Sequence, residues 1–293
     1  MIEIHVRTWR IGDLGHLFRL PMRPVSHGRG GLVPVKDHEA NPYGVDGYDA
    51  TTYGDSFAEV YDQWYADLDD ADFLESIVRS LPDLPLRVLE LGVGTGRLVA
   101  QWLSLRPTAN DTIVGIDSSE AMLRIAQKKQ FPAAVSFVRG DFSDELPNGP
   151  FDVVFIGYNT LFNVPDELAL HSCFNHVARV LAPTGSLYID AVIPNSTEAS
   201  THESVQTMAT GENVLATSHH DPQSQRITGT FTHLEPEQGS HIRSWAVRYF
   251  SPAQLDQVAE QSGLSLLSRF ADGRQTAFTS DSHRHITRYS PAV

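Results

Sequence analysis

Apolar positions recur with two different spacings through the middle of the chain. Val88, Leu89 and Leu91 form a short run typical of a buried strand, and from Leu98 onward apolar residues recur at helical spacing. Further short runs predict strands at 112–117, 135–138, 151–157 and 181–190, the last with its leading turn. Strands that alternate with helices predict an α/β fold, with a parallel sheet covered by helices on both faces.

The alternation stops between residues 195 and 250. Apolar residues there are Val205 and Met208, followed by short stretches at 214–217, 227–231 and 242–250 that are joined by polar turns. This pattern predicts antiparallel strands joined by hairpins. We therefore expect an inserted antiparallel β lid over a pocket, a dimerisation sheet, or both. The core pattern then returns, with a helix at 251–263 and strands at 264–270 and 285–289.

The region before the first strand has two parts. Proline and glycine interrupt residues 1–54 so often that an extension with little regular structure is predicted. From Asp55, helical spacing predicts two amphipathic helices joined by an acidic linker. The predicted units are an N-terminal extension at 1–54, a core at 55–194, a β insertion at 195–250 and the C-terminal part of the core at 251–293.

Composition narrows the range of partners. The 293 residues include 22 Lys and Arg against 36 Asp and Glu, a formal net charge of −14. Such a surface repels phosphates, so we expect a small-molecule substrate and no nucleic acid. No apolar run approaches the ~18 residues that span a bilayer, so no membrane partner is expected. A single cysteine, Cys173, and the lack of a secretory signal predict a cytoplasmic protein.

The glycines after the first strand carry the strongest chemical signal. Gly92, Gly94 and Gly96 allow a sharp turn and a close approach to a ligand, just before a helix N-terminus with unpaired N–H groups. A dinucleotide fingerprint would have its third glycine where Arg97 stands. Glu90, before the first glycine, repels a pyrophosphate and suits a cationic ligand. These residues alone leave two interpretations open, a nucleotide cradle and a purely structural strand–helix turn.

The segment 87–98 resembles the first motif of class I S-adenosylmethionine-dependent methyltransferases, whose cofactor carries an ammonium and a sulfonium. Later segments resemble the family's following motifs, at 117–123, 140–142 and 151–157. The resemblance implies a Rossmann-like, doubly wound seven-stranded sheet with strand seven antiparallel, and S-adenosylmethionine as cofactor. It also implies cofactor contacts from Tyr61, Glu90, Gly92, Gly94, Gly96, Asp117, Ser118, Met122, Asp141, Phe142 and Gly157.

The family resemblance gives several of these residues a role. In the family, the acid at Asp117 accepts both ribose hydroxyls, a device also found in NAD enzymes. The thioether at Met122 packs on the adenine face, and the acid at Asp141 accepts the adenine amino group. Tyr61 belongs to a stretch that resembles a motif lying over the cofactor end of the pocket. From the residues alone, helix core for Met122 and a helix N-cap for Asp141 stay open.

The residues after the fourth strand are predicted to face the transferred methyl group, because ligands bind beyond the carboxyl ends of parallel strands. Tyr158 and Asn159 are the predicted catalytic residues, which polarise or orient a nucleophile. Tyr65, Phe162 and Asn163 are the predicted substrate contacts. A closer resemblance is to aminosugar N-methyltransferases with an antiparallel lid, although the histidine that those enzymes often carry after strand four has no counterpart here.

The predicted function is methyl transfer from S-adenosylmethionine to a small-molecule acceptor. Nitrogen is favoured over oxygen or carbon, because no histidine base is evident and a neutral amine needs little acid–base help. Two alternatives stay open: an S-adenosylmethionine-binding enzyme with another reaction such as cyclisation, and a non-catalytic partner subunit. Adjacent strand residues point to opposite faces, so His219 and His220 predict no metal site. A homodimer through the β insertion is expected.

Overall fold

The chain forms two β-sheets with helices packed against them. The computed structural model describes residues 41–66, 71–194, 197–208, 210–233 and 241–292. The helices are α1 (Thr52–Trp64), α2 (Ala71–Val78), α3 (Arg97–Leu105), α4 (Glu120–Lys128), α5 (Glu167–Val180) and α6 (Pro252–Gln261). The strands are β1 (Arg87–Leu91), β2 (Thr112–Asp117), β3 (Val135–Arg139), β4 (Phe151–Ile156), β5 (Leu181–Val192), β6 (Ser200–Thr207), β7 (Asn213–Asp221), β8 (Arg226–His233), β9 (Ile242–Arg248), β10 (Leu264–Phe270) and β11 (Arg284–Pro291). A 3₁₀ turn spans Thr160–Asn163.

The larger sheet has seven strands in the order β10-β11-β5-β4-β1-β2-β3. Strands β1 to β5 pair in parallel, and β11 runs antiparallel to both of its neighbours, β5 and β10. This confirms the predicted Rossmann-like sheet with its last strand antiparallel. The strand order reverses between β1 and β4, and in such sheets ligands bind beyond the strand ends at that point.

The centre of this sheet is buried on both faces. Val88, Leu89, Val153 and Val154 are fully buried because helices cover both sides of β1 and β4. On one side, the Trp102 ring of α3 stacks on a phenylalanine of β4 with 5.7 Å between ring centroids. These contacts fix the strand ends from which the glycine turn begins.

The segment between β5 and α6 forms a separate antiparallel sheet in the order β6-β7-β8-β9, which confirms the predicted insertion. One face of this sheet packs on α1, where the Phe231 ring lies 5.9 Å from Phe57 and 5.7 Å from Trp64 in edge-to-face contacts. The inserted sheet therefore rests on the helix that precedes the glycine turn.

The start of the described chain is more ordered than the proline and glycine content predicts. The apolar pattern places the start of the first helix at Asp55, whereas α1 begins at Thr52. Before it, Tyr43 and Tyr48 are buried against Ala246 of β9, whose backbone N–H donates to the Tyr48 hydroxyl over 3.2 Å. The predicted extension before residue 41 and the predicted acidic linker at 67–70 lie outside the described residues. None of the helices in the described chain is long and apolar enough to cross a membrane.

Candidate active site

Three parts of the chain line one cavity beyond the carboxyl ends of β1, β2 and β3. The cavity floor, on the turns after these strands, is made of Gly92, Gly94, Asp117, Ser118, Met122, Asp141 and Phe142. The cavity roof, on α1 and the turn before it, is made of Ala50, Tyr53, Gly54 and Tyr61. A side wall after β4 is made of Thr160, Asn163 and Val164.

The glycine turn opens the floor to a ligand. Gly92 and Gly94 have φ angles of 71° and 54°, a left-handed conformation that glycine adopts without steric cost. A Cβ atom on Gly92 would lie 2.1 Å from Cγ2 of Thr160, so the wall leaves no room for a side chain there. A Cβ atom on Gly94 would meet nothing within 4 Å. The Gly94 backbone is therefore open to close approach by a bound molecule.

Asp117 places a partly buried carboxylate beside this turn. Its Oδ2 accepts a hydrogen bond from the Gly94 N–H over 2.8 Å, and its Oδ1 accepts one from the Ser119 N–H over 2.9 Å. Burial raises the pKa of Asp117, and the carboxylates of Asp55 and Asp141 raise it further, against the lowering effect of the two hydrogen bonds. A carboxylate has about four acceptor sites, so Asp117 retains capacity for two ligand hydroxyls.

Asp141 and Met122 each line the cavity and also have a structural role, although no helix begins at Asp141 in the described chain; their adenine contacts stay predictions. The Asp141 Oδ1 accepts hydrogen bonds from the Ser143 N–H and hydroxyl, both over 2.8 Å, and so caps a turn while lining the cavity. The Met122 side chain belongs to the main apolar core, is 2% exposed and also lines the cavity. A flexible thioether at such a boundary adapts well to a flat apolar ring.

The roof is fastened to the floor by hydrogen bonds. The Ser119 hydroxyl donates to Oδ1 of Asp55 over 2.6 Å, and the Ser118 hydroxyl donates to the Ala50 carbonyl over 2.7 Å. A Cβ atom on Gly54 would lie 2.4 Å from the Cβ of Ser119, so a glycine permits this close approach of α1 to α4. The cavity is covered from above by a helix in direct contact with its base.

Tyrosines from α1 and from the loop after β4 meet at one end of the roof. The ring centroids of Tyr61 and Tyr65 are 4.6 Å apart, and those of Tyr65 and Tyr158 are 6.4 Å apart. The hydroxyls of Tyr53 and Tyr65 share a hydrogen bond of 3.1 Å. Burial raises the pKa of both Tyr53 and Tyr65, which keeps these phenols neutral near pH 7. This tyrosine cluster is aromatic and polar without carrying charge.

The two predicted catalytic residues lie in a strained loop at the end of β4. Tyr158 and Asn159 have φ angles of 51° and 60°, which non-glycine residues adopt rarely. The Asn159 N–H donates to the Asp190 carbonyl over 3.0 Å, and its side-chain Oδ1 accepts from the Val192 N–H over 2.7 Å. The amide oxygen of Asn159 thus holds the loop to β5. A direct catalytic role for either residue stays a prediction.

Most of the predicted cofactor residues line the cavity. Within the part of the chain that the structure describes, Glu90, Gly96 and Gly157 do not. Glu90 is 2% exposed within β1, and Gly96 is the left-handed residue before α3. A Cβ atom on Gly157 would lie 2.4 Å from a methyl carbon of Leu98, so that glycine serves packing. Cofactor contacts for these three stay predictions.

The predicted substrate residues separate in the structure. Asn163 lines the cavity wall, Tyr65 belongs to the tyrosine cluster, and Phe162 is 3% exposed in the apolar core. Substrate contacts for all three stay predictions.

Sequence reasoning missed five residues that line the cavity: Ala50, Tyr53, Gly54, Thr160 and Val164. One signal was available for the roof, since Tyr53 precedes Tyr61 by two helical turns and so shares its face. Thr160 lies in the loop after β4 and carries no motif of its own. Its position is set by contact with Gly92, which the local sequence does not show.

The paired histidines have separate partners. The Nε2 of His220 lies 3.0 Å from the Tyr249 hydroxyl, and the Nδ1 of His219 lies 3.1 Å from the Thr201 hydroxyl. Among the described residues, no group of three or more His, Cys, Asp or Glu side chains is placed to hold a metal.

Comparisons with known proteins agree with this geometry. Residues 88–185 match a family model described as a methyltransferase domain. The structure of the CcbJ methyltransferase from Streptomyces caelestis is 29% identical, covers 84% of this chain and all of that chain, and superposes with a TM-score of 0.73. The sugar N-methyltransferase KedS8 from Streptoalloteichus shares the fold, with 16% identity, coverage of 90% of this chain and 98% of that chain, and a TM-score of 0.59.

A curated relative is the cypemycin N-terminal methyltransferase from a Streptomyces species. It is 31% identical over 147 residues, which are 50% of this chain and 58% of the relative. The chain thus spans little more than half the length of this relative. A demethylmenaquinone methyltransferase from Chlamydia pneumoniae is 32% identical over 108 residues, 36% of this chain and 44% of that protein. Residues 88–185 are therefore similar in sequence to a methyltransferase domain, and the seven-stranded sheet has the Rossmann-like fold that the CcbJ methyltransferase shares.

Proposed function

We propose that this protein transfers a methyl group from S-adenosylmethionine to a nitrogen atom of a small-molecule acceptor. The observation that carries the proposal is the cavity floor, where an open Gly94 backbone lies beside the partly buried Asp117 carboxylate. The further carboxylates of Asp55 and Asp141 make this cavity electronegative. A cofactor with an ammonium and a sulfonium suits such a cavity, whereas a pyrophosphate would be repelled by it.

Residues of this chain would hold the cofactor through complementary chemistry. The remaining acceptor sites of Asp117 suit the ribose hydroxyls, and Asp141 and Met122 suit the amino group and the face of an adenine. Tyr53 and Tyr61 would close over the bound molecule from the roof. S-adenosylmethionine supplies a methyl group that its sulfonium already activates. The main task left to the protein is alignment of the acceptor, which removes entropy of encounter from the barrier.

The tyrosine cluster favours a nitrogen acceptor. An amine becomes positively charged when it attacks a methyl group, and aromatic faces stabilise such a cation by about 0.5–2 kcal/mol. A hydroxyl acceptor would instead need a base, and the burial that raises the pKa of Tyr53 and Tyr65 makes their phenolates scarce at neutral pH. Relatives named as N-methyltransferases support the same choice.

The first experiment is calorimetric titration of S-adenosylmethionine and S-adenosylhomocysteine, with NAD as a control ligand. We expect micromolar binding of the first two and about 100-fold weaker binding by Asp117→Ala, since two hydrogen bonds to a charged group are lost. Absence of binding by the wild type would contradict the proposal. For the acceptor, release of S-adenosylhomocysteine is compared between a panel of amines and the matching alcohols. Turnover of the alcohols alone would exclude nitrogen.

The inserted sheet has two further proposed roles. Its inner face packs on α1, which supports a role as a lid over the acceptor. On its outer face, the register places Val205, Leu215, Thr232 and Ile242 in one row across the four strands, and Val205 and Ile242 are exposed. This row supports a homodimer through the sheet, and a monomeric mass in solution would exclude it. We place the protein in the cytoplasm on the basis of its one cysteine, which is buried.

A further inference from the structure

The roof of the cavity is joined to the glycine turn at a second point, away from the cavity lining. Asp62 follows the roof residue Tyr61, and its Oδ1 accepts a hydrogen bond from the Thr95 hydroxyl over 2.5 Å. Its Oδ2 forms an ion pair with the Lys129 ammonium over 2.7 Å. Thr95 lies between two glycines of the turn, and Lys129 directly follows α4. We call Asp62, Thr95 and Lys129 the latch.

We propose that the latch is a set of positioning residues that hold α1 closed over the cofactor and set the rate at which the cofactor leaves. This inference rests on the proposed function, because it assumes that the cavity holds S-adenosylmethionine and its product. The latch residues themselves are not among the described residues that line the cavity. They act through Tyr53 and Tyr61, which do.

The position of α1 explains why a latch is needed. Floor and roof residues line opposite sides of the same cavity, so a bound molecule lies between α1 and the strand ends. In this proposal, exchange of that molecule involves movement of α1 away from the floor. At the N-terminal end of α1, the Asp55 carboxylate and the Ala50 carbonyl accept hydrogen bonds from the hydroxyls before α4. The latch provides the corresponding fastening at the other end.

The latch is built for reversible opening. The side chains of Lys129 and Asp62 are 32% and 40% exposed, so water can replace both partners when the pair separates. Ion pairs of this exposure contribute little to stability and are screened by salt. In contrast, the Asp111 carboxylate, just before the amino end of β2, is 1% exposed and pairs with Arg106 over 2.7 Å. Breaking that buried pair would leave an uncompensated charge.

The same helix, α1, is also in contact with the inserted sheet. Phe57 and Trp64 of α1 pack against Phe231 of β8, and the Trp64 indole N–H donates to Oε2 of Glu212 over 3.3 Å. Opening of α1 therefore changes its packing on the sheet that we propose as the lid. A shared helix would make release of the cofactor product depend on the state of the lid.

The test measures the dissociation rate of S-adenosylhomocysteine from immobilised protein by surface plasmon resonance. We expect Lys129→Met to raise this rate about threefold, as for an exposed ion pair, and Asp62→Ala to raise it about tenfold, because it also loses the Thr95 hydrogen bond. Asp62→Asn keeps an acceptor for Thr95 and should fall between the two. Raising the salt concentration should accelerate release from the wild type and leave Lys129→Met nearly unchanged.

The matched control is Arg139→Met, which also removes one positive charge. Arg139 pairs with Glu120 over 3.2 Å, and neither residue lies on α1, so release should stay at the wild-type rate. Hydrogen exchange without any ligand gives a readout independent of binding, because latch variants should exchange faster across residues 52–64 at an unchanged melting temperature. Equal dissociation rates and equal exchange in wild type and latch variants would overturn the latch. A wild type that binds no S-adenosylhomocysteine would instead overturn the proposed function.

Discussion

The floor and the roof of the cavity are built in different ways. The floor is made of turns that directly follow buried parallel strands, and its shape depends on backbone conformation at Gly92 and Gly94. The roof is a helix whose Asp55 and Asp62 carboxylates accept hydrogen bonds from the hydroxyls of Ser119 and Thr95, which lie far along the chain. The floor can therefore persist without ligand, whereas opening of the roof exchanges the hydrogen bonds of Asp55 and Asp62 for water and also disturbs the packing of α1 on the inserted sheet.

Because of this difference, substitutions in the floor and in the roof should affect folding stability and cofactor affinity to different degrees. A change in the floor disturbs packed strands and should affect both folding and binding. A change in the hydrogen bonds and the ion pair that fasten the roof removes contacts that water can replace, so it should affect binding more than folding. Substitutions at matched positions in the two regions can test this division.

The largest effect is expected at the glycine turn. Gly92→Ala should lower the free energy of unfolding by about 3 kcal/mol. Alanine would be strained in the left-handed conformation at this position, and its methyl group would also overlap with Thr160. Gly94→Ala is the matched control, with similar backbone strain but open space around the new methyl group. It should lose only about 1 kcal/mol while cofactor affinity drops sharply. Chemical denaturation and calorimetry measure both quantities, and equal destabilisation by the two variants would contradict this account of the floor.

The pH dependence of folding has to be known before that of binding is assigned. His285 on β11 is fully buried, and burial together with the Arg269 cation lowers its pKa from 6.5 to about 3. Below pH 6.5 this histidine takes up a proton in the unfolded chain but not in the folded chain. The free energy of unfolding therefore decreases as the pH is lowered from 6.5 towards 3. At pH 5 the loss should be about 2 kcal/mol.

In His285→Gln, the decrease in the free energy of unfolding between pH 7 and pH 5 should be smaller than in the wild type by about 2 kcal/mol. The exposed His219→Gln serves as control and should keep the wild-type slope. An unchanged slope in His285→Gln would show that other groups dominate the acid sensitivity.

Cofactor binding should have a separate pH dependence, which comes from ionisation of Asp117 in the cavity floor. Burial raises the pKa of Asp117, and its carboxylate must be ionised to accept two hydroxyls. Affinity for S-adenosylmethionine should therefore weaken as the pH falls through the raised pKa of Asp117, by about tenfold for each pH unit below that pKa. Asp117→Asn should bind weakly at every pH, with a flatter profile. Calorimetric titrations at a series of pH values test this, and a parallel decline in both proteins would place the titrating group elsewhere.

The smallest effect on folding is expected from Gly54 in the roof. Gly54→Ala places a methyl group against Ser119 and should move α1 outward. Alanine favours helices by about 1 kcal/mol over glycine, which offsets part of the overlap, so the melting temperature should change little. Affinity for S-adenosylhomocysteine should still drop about fivefold. A large loss of stability with unchanged affinity would show that the roof belongs structurally with the floor.

The sequence predicts the floor far better than the roof, for a physical reason. Glycine spacing, the acid at Asp117 and the apolar strands are local patterns, and the Rossmann-like sheet confirms them. The packing of Tyr43 and Tyr48 on β9 joins residues about 200 positions apart and leaves no local trace. The apolar pattern starts α1 three residues too far along the chain, because Thr52, Tyr53 and Gly54 are weak helix formers that tertiary contacts stabilise here. Strand β6 shows little apolar pattern because it is an edge strand with polar residues on both faces.

The place of β11 in the sheet has a consequence for synthesis on the ribosome. This strand, almost the last segment described, lies between β5 and β10 and pairs with both. Until residues 284–291 emerge, a nascent chain carries β5 with one edge unpaired next to a largely formed parallel sheet. Such an edge is a template for pairing with another chain. Early termination before β11 should therefore yield aggregates rather than a smaller folded protein.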